Sequence, residues 1–102
     1  MFVEILDCAH EDMADGYDFY ERRSPGLGAY FSDTLYGEME SLQLFAGIHP
    51  VRHGYYRLLA RRFPYSVYYK IVGGTARIYA VLDNRMNPRR TRDRLDEVRN
   101  HV

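Results

Sequence analysis

Few residues in this chain are of types that do chemistry, and their spacing narrows what they can do. There is one cysteine, Cys8, so no internal disulfide can form and the fold needs no oxidising compartment. No nucleophile motif surrounds Cys8, and it reads as a small core or helix-entry residue. Of the four histidines, His10 and His101 fall in helical or terminal regions without partners. His49 and His53 stand four apart but flank Pro50 in a loop rather than sharing a helix face. With one cysteine and no clustered acids nearby, neither a metal site nor a cofactor is expected. His53 could act as a general base, although only loop adjacency brings it toward Arg57.

The abundant reactive type is arginine, which supplies thirteen of the fourteen bases. Its planar fork suits phosphate and carboxylate in a way lysine does not. Residues 1–50 carry ten acids and two bases, Arg22 and Arg23, whereas residues 51–102 carry twelve bases and four acids. The formal net charge is nevertheless zero. Two readings stay open: the halves neutralise each other across the fold, or the basic half faces a polyanion or an acidic partner. The run Arg89-Arg90-Thr91-Arg92-Asp93-Arg94 follows Pro88. It is either a solvated helix start or a contact surface, and bases at a helix N-terminus oppose the dipole.

The elements that must position these groups follow from periodicity. At 102 residues the chain is expected to form one domain, 1–102, with a core large enough to need no staples. Aromatic residues make up 15% and ten of them are tyrosines, whose polar tips favour the core's edge. Residues 2–7 alternate as a short strand. Residues 9–23 place Met13, Tyr17 and Tyr20 at helical spacing. Ser24-Pro25-Gly26 breaks the pattern, with Ser24 as the expected N-cap of a second helix. Leu27, Phe31, Leu35, Met39 and Leu42 continue the stripe to about Phe45, so the two helices form a hairpin. Three strands follow: one around Tyr56–Arg61, one over 65–72 with Tyr65 and Tyr69 facing the helices, and one with Ala76, Ile78, Ala80 and Leu82 on a single face. Gly73-Gly74 marks the turn between the last two. Leu95, Val98 and Val102 predict a short C-terminal helix. The expected fold is α+β, β-α-α-β-β-β-α: a small antiparallel sheet, built from the N-terminal strand and a three-strand meander, packed on the helical hairpin. No apolar run is long enough for a membrane span, and the N-terminus lacks signal-peptide features. A cytoplasmic protein is therefore expected.

Three stretches carry a resemblance. Tyr56-Arg57-Leu58-Leu59-Ala60-Arg61-Arg62-Phe63-Pro64-Tyr65, continuing into the tyrosine-containing strand to Ile71, looks like a central hairpin. Ile78-Tyr79-Ala80-Val81-Leu82-Asp83-Asn84-Arg85 looks like a last strand ending in arginine. Tyr20-Glu21-Arg22-Arg23-Ser24-Pro25-Gly26-Leu27-Gly28-Ala29-Tyr30-Phe31 looks like the break between two helices. In this order, over most of residues 15–90, the chain resembles the RelE/ParE toxin superfamily, and the ParE-like branch more closely. RelE-like members cut mRNA on the ribosome, and ParE-like members bind and poison DNA gyrase. Both are silenced by a cognate antitoxin.

RNA cleavage through the 2′-OH needs a proton acceptor, a proton donor and cations on the phosphate. Arg57 and Arg85 match positions of the ribonuclease branch. Leu59, Ser66 and Thr91 stand where that branch has proton-handling or basic groups, and Arg57 is a poor base because it stays charged. The resemblance therefore implies a binding toxin whose target is gyrase, with no confident catalytic residue. Ribosome-dependent mRNA cleavage through Arg57 and Arg85 is the first alternative, and a non-toxic antitoxin-binding relic the second. Target contacts are expected at Arg57, Arg85, Arg89, Arg90, Arg92 and Arg94. Antitoxin contacts are expected at Tyr17, Tyr30, Arg61 and Arg62, in a toxin–antitoxin hetero-oligomer.

Overall fold

The computed structural model describes residues 1–101, with side chains through Asn100. The expected Val102 of the C-terminal stripe and the side chain of His101 lie outside it. The order is β1 (Phe2–Ile5), α1 (Asp7–Glu21), α2 (Leu27–Glu40), α3 (Leu42–Phe45), β2 (Val51–Arg52), β3 (Tyr55–Leu59), β4 (Tyr65–Val72), β5 (Thr75–Asp83) and α4 (Pro88–His101). The α+β class and the order of the expected elements hold. None of the helices is long and apolar enough to cross a membrane.

The helical hairpin forms because α1 buries Ala9, Met13, Gly16 and Tyr20, while α2 buries Gly28, Phe31, Leu35 and Met39. Two glycines set how closely the helices approach. A Cβ on Gly16 would stand 2.5 Å from the Phe31 ring, and one on Gly28 would stand 2.8 Å from the Tyr17 carbonyl. Ser24 is not the N-cap. Gly26, at φ 89°, occupies that position, and the Glu21 carboxylate accepts the amides of Gly26 (3.1 Å) and Gly28 (3.0 Å). The last residue of α1 thus completes the first turn of α2, where a negative group also suits the dipole. The stripe to Phe45 is interrupted at Ser41, whose hydroxyl bonds the Glu38 carbonyl.

The sheet departs from the expected one in two ways. Its order is β1-β5-β4-β3-β2, and β1 lies parallel to β5, so the sheet is mixed rather than wholly antiparallel. The two-residue β2 adds an edge strand through the pairs Val51↔Tyr56 and Arg52↔Tyr55. The parallel pairing is a crossover: β1 leaves the sheet through the helical hairpin and the chain returns several elements later. Gly73 and Gly74 make the β4–β5 turn at positive φ, as expected.

Val3, Ile5, Leu58, Tyr65, Val67, Tyr69, Ala76, Ile78 and Val81 face the hairpin. Tyr55, Tyr68, Tyr79, Ala80 and Leu82 pack on the opposite face with Leu95 and Val98 of α4. Tyr65 and Tyr69 face the helices as the alternation predicts. Ala76, Ile78, Ala80 and Leu82 do not share one face. Tyr68 pairs with Ala80 but Tyr69 pairs with Ile78, so Tyr79 is an extra residue. This bulge inverts the parity of β5 beyond it.

The bulge also creates a demand that Asp12 meets. Asp12, buried on α1, accepts the Val81 amide (2.9 Å) on one carboxylate oxygen and Arg94 of α4 (2.6 Å) on the other. Arg94 in turn donates to the Cys8 carbonyl at 3.3 Å. Burial raises the Asp12 carboxyl above its ordinary value, with the Arg94 and Val81 donors working against that rise. A second latch holds the loop before β2. The Tyr69 hydroxyl accepts the Gly47 amide (2.9 Å) and is hydrogen-bonded to Nδ1 of His49. Burial lowers the His49 pKa, and Glu38 opposes the shift.

Asp12→Ala should lower the unfolding free energy by about 3 kcal/mol, the low end for deleting one partner of a buried pair, since Arg94 keeps some solvent. Urea denaturation checks this; a loss within error would mean that the carboxylate does not join the two faces. The folded chain protonates His49 less readily than the unfolded chain does. The unfolded state therefore binds more protons as pH falls through the ordinary histidine range, and stability drops. The loss in denaturation midpoint between pH 7.5 and 5.5 should be smaller in His49→Asn than in the parent. Equal losses would remove His49 from the account.

Candidate functional site

Three surfaces carry the groups singled out by sequence. The first is a cleft of about 200 Å³ between β3, the end of β5 and the start of α4, lined by Arg52, His53, Arg57, Asn84 and Thr91 among others. Arg57 projects from β3 toward α4's side of the sheet. Its Nε donates to the Ser66 hydroxyl at 2.9 Å and its Nη2 reaches Asn84 Oδ1 at 3.4 Å. The Ser66 hydroxyl donates to the same Asn84 oxygen. Asn84 is anchored by its own amide on the Pro64 carbonyl at 2.7 Å. Arg57 is thus a fixed cation at the wall of a small cleft. Ser66 and Thr91 are buried, and Leu59 is exposed away from it. Among the described residues, His53, Tyr68 and Asp83 are the proton-handling types that line the cleft with the arginines, His53 at a positive φ of 56°.

The second surface is the arginine row after β5. Arg85 is exposed and doubly paired with Asp83, through Nη2 at 2.7 Å and Nε at 2.9 Å. That pairing raises the guanidinium's pKa and holds the Asp83 carboxyl below its ordinary value. Asn87 caps α4, accepting the Arg89 amide at 2.8 Å. Thr91, Leu95 and Val98 then face the sheet at helical spacing. Arg89, Arg90 and Arg92 point to solvent. Arg94 differs from the rest of its run. It turns inward to Asp12 and is an internal tie between α4 and α1, so the expectation of a free contact residue is corrected there.

The third surface is a groove of about 530 Å³ between α2, α3 and β3, lined by Asp33, Glu38, Phe45, Ile48, Leu59 and Arg61 among others. Its floor is apolar: Phe45 and Leu59 are more than half exposed and Ile48 is 72% exposed. Alongside runs an uncovered sheet edge. The Arg57 amide bonds the Pro50 carbonyl outward at 2.8 Å. Two residues on, Leu59 points its amide the same way, past the end of β2. Arg62 lines the groove, donating to the Tyr30 hydroxyl at 2.8 Å and lying over its ring at 5.9 Å. Tyr30, Arg61 and Arg62 are therefore gathered at one end. Tyr17, 37% exposed on α1, does not line the groove.

Sequence reasoning did not single out Arg52, Lys70, Arg77 and Arg99. Lys70 and Arg77 pair in register on β4 and β5, and both come close to the Tyr79 ring. The alternation of those strands held the signal, since both residues fall opposite the hairpin face. Among the described residues, no group of three or more His, Cys, Asp or Glu is placed to hold a metal.

No protein-family model matches the chain, and no curated protein matches it. Among solved structures, a chain of the chromosomal ParDE TA system from P. aeruginosa superposes with a TM-score of 0.72 at 21% identity. The match covers 79% of this chain and 92% of that one. At that identity the likeness is one of architecture: this chain shares the fold of that ParDE-system chain.

Proposed function

We propose that this chain is the toxin of a toxin–antitoxin pair, that it acts by binding DNA gyrase, and that a cognate antitoxin neutralises it. The fold supports the toxin reading, and the state of the Arg57 cleft carries the preference for binding over cleavage. Ser66 is buried in the Arg57–Asn84 network, Thr91 is buried on the sheet-facing side of α4 at the cleft wall and Leu59 is outside the cleft. None is available to move a proton. Arg85, Arg89, Arg90 and Arg92 are exposed and suit an acidic face of a protein target.

The groove and the open β3 edge suit the antitoxin. An extended segment can pair with the Leu59 amide while apolar side chains settle on Phe45, Ile48 and Leu59. Arg61 and Arg62 would steer an acidic segment toward it. A second reading is ribosome-dependent mRNA cleavage, favoured by one observation: His53, Arg52 and Arg57 line the same cleft.

Expressed alone, the chain should arrest bacterial growth, and the purified protein should inhibit gyrase supercoiling without cutting mRNA in a translation extract. Arg85→Ala combined with Arg89→Ala and Arg90→Ala should lose inhibition while the melting temperature stays nearly constant, since exposed substitutions change stability by no more than about 0.5 kcal/mol. Cleavage at codon positions, abolished by His53→Ala, would replace the gyrase reading with the interferase. Normal growth at high soluble expression would sink both and leave the relic. Arg61→Glu with Arg62→Glu should slow antitoxin association and flatten its salt dependence. An unchanged association rate would place the docking site elsewhere.

A further inference from the structure

One rung of the sheet collects cations on the face opposite the helical hairpin. Arg52 pairs with Tyr55 across β2 and β3, Lys70 pairs with Arg77 across β4 and β5, and Arg77 pairs with Glu4 across β5 and β1. Arg99 reaches the same rung from α4, donating to the His53 carbonyl at 2.7 Å. Two tyrosine rings lie among the cations. Lys70 is 4.7 Å from the Tyr55 centroid and 5.8 Å from that of Tyr79, Arg99 is 5.4 Å from Tyr55, and Arg77 is 5.6 Å from Tyr79. The rings meet edge to face at 5.3 Å, and the Tyr55 hydroxyl is fixed on the Leu95 carbonyl at 3.1 Å.

Among the described residues, one ion pair answers these four cations: Glu4 bonds Arg77 at 2.8 Å. Like charges placed directly opposite on neighbouring strands destabilise a sheet. The Lys70–Arg77 pair is such a placement: Glu4 answers Arg77, and the rings soften the charge left on Lys70. A local cost of this kind, built into the middle of a sheet, marks a surface kept for something other than folding.

The next rung says what that is. Val3 and Ile5 pack toward the hairpin, so Phe2 and Glu4 alternate onto the cationic face. Phe2 pairs with Thr75, two register positions from Arg77 and so on the same face, and is 80% exposed. A row of fixed cations beside a free aromatic face is the arrangement that holds a single strand: cations take the phosphates and the ring takes a base. A carboxylate-rich peptide could use the cations, but the ring adds a stacking surface suited to a base. We propose that this face binds single-stranded nucleic acid, with Arg52, Lys70, Arg77 and Arg99 on the phosphodiester backbone and Phe2 stacked on a base. The rung lies away from Arg85, Arg89 and Arg90, so the proposal does not rest on the gyrase reading, although Arg52 also lines the Arg57 cleft.

Fluorescence anisotropy of the full-length chain with labelled twelve-nucleotide oligo-U RNA and oligo-dT DNA tests it. Affinity should fall with salt at a logarithmic slope of about −3, as four single-strand phosphates would give. Arg52→Ala with Lys70→Ala should make that slope shallower by about 0.7 per cation removed, with the melting temperature held. Phe2→Ala should weaken binding about tenfold at every salt concentration and leave the slope unchanged, within the range for one stacked base. Tighter binding of RNA, of DNA, or equal binding of both would each support the proposal and name the strand. No binding at 50 mM salt would overturn it. So would competition by polyglutamate equal to that of the oligonucleotide, which would mark an acidic-protein surface, or an unaltered affinity in Phe2→Ala.

Discussion

The fold turns on the Asp12 carboxylate. The sheet has a layer on each face, and this carboxylate ties the two together. Asp12 comes from α1 on one side, Arg94 from α4 on the other, and the Val81 amide lies between them at the bulged part of β5. The bulge gives the interaction its necessity. An extra residue at Tyr79 rotates β5, and Val81 must find an acceptor beyond the end of β1, which stops at Ile5. Without Asp12, a buried amide and a half-buried guanidinium would lose their partner together. That the carboxyl's pKa is raised shows that burial outweighs the attraction of its two donors.

The position of α4 then decides which arginines are free. With Thr91, Leu95 and Val98 facing the sheet, Arg94 falls on the flank beside α1, while Arg89, Arg90 and Arg92 fall outward. Lys70 and Arg77, further along the same face, stay partly open to water. The lopsided charge of the sequence is resolved accordingly. Among the described residues, Arg94–Asp12 and Arg77–Glu4 are the ion pairs that join the acidic half to the basic half. Neutralisation across the fold is real at those two places. Over the rest of the basic half most arginines face water.

Most of the architecture was legible in the sequence because it follows from periodicity. The stripe Phe31–Leu35–Met39 and the alternation Tyr65–Val67–Tyr69 each mark a buried face by spacing alone. What escaped depended on partners distant in the chain. Ser24 is a good cap by type, but the Glu21 carboxylate reaches the α2 amides first. β1 carries nothing in its residues that distinguishes a parallel neighbour from an antiparallel one. The bulge at Tyr79 leaves the apolar count of β5 unchanged while inverting its parity. For the candidate site, Arg94 could not be separated from Arg92 without knowing that Asp12, 82 residues away, is its partner. Arg52, Lys70 and Arg77 are scattered through three strands and become a row only when the register is known.

The two faces of the sheet therefore do different work under one constraint. The hairpin face can bury five aromatic rings, Tyr20, Phe31, Phe63, Tyr65 and Tyr69, because none of them must carry charge. The α4 face buries less and holds its cations on the rings of Tyr55 and Tyr79 instead. Those rings serve both ends: their edges close the small core under Leu95, and their faces hold Lys70, Arg77 and Arg99 toward solvent. Replacing them with aliphatic residues would preserve the core's volume but leave the cations without a support. The choice of tyrosine over phenylalanine at position 55 adds the bond to the Leu95 carbonyl, which pins α4 at the height where Arg99 meets the rung. Stability on this face is thus tied to the display of positive charge, and the second core cannot be repacked without altering the surface above it.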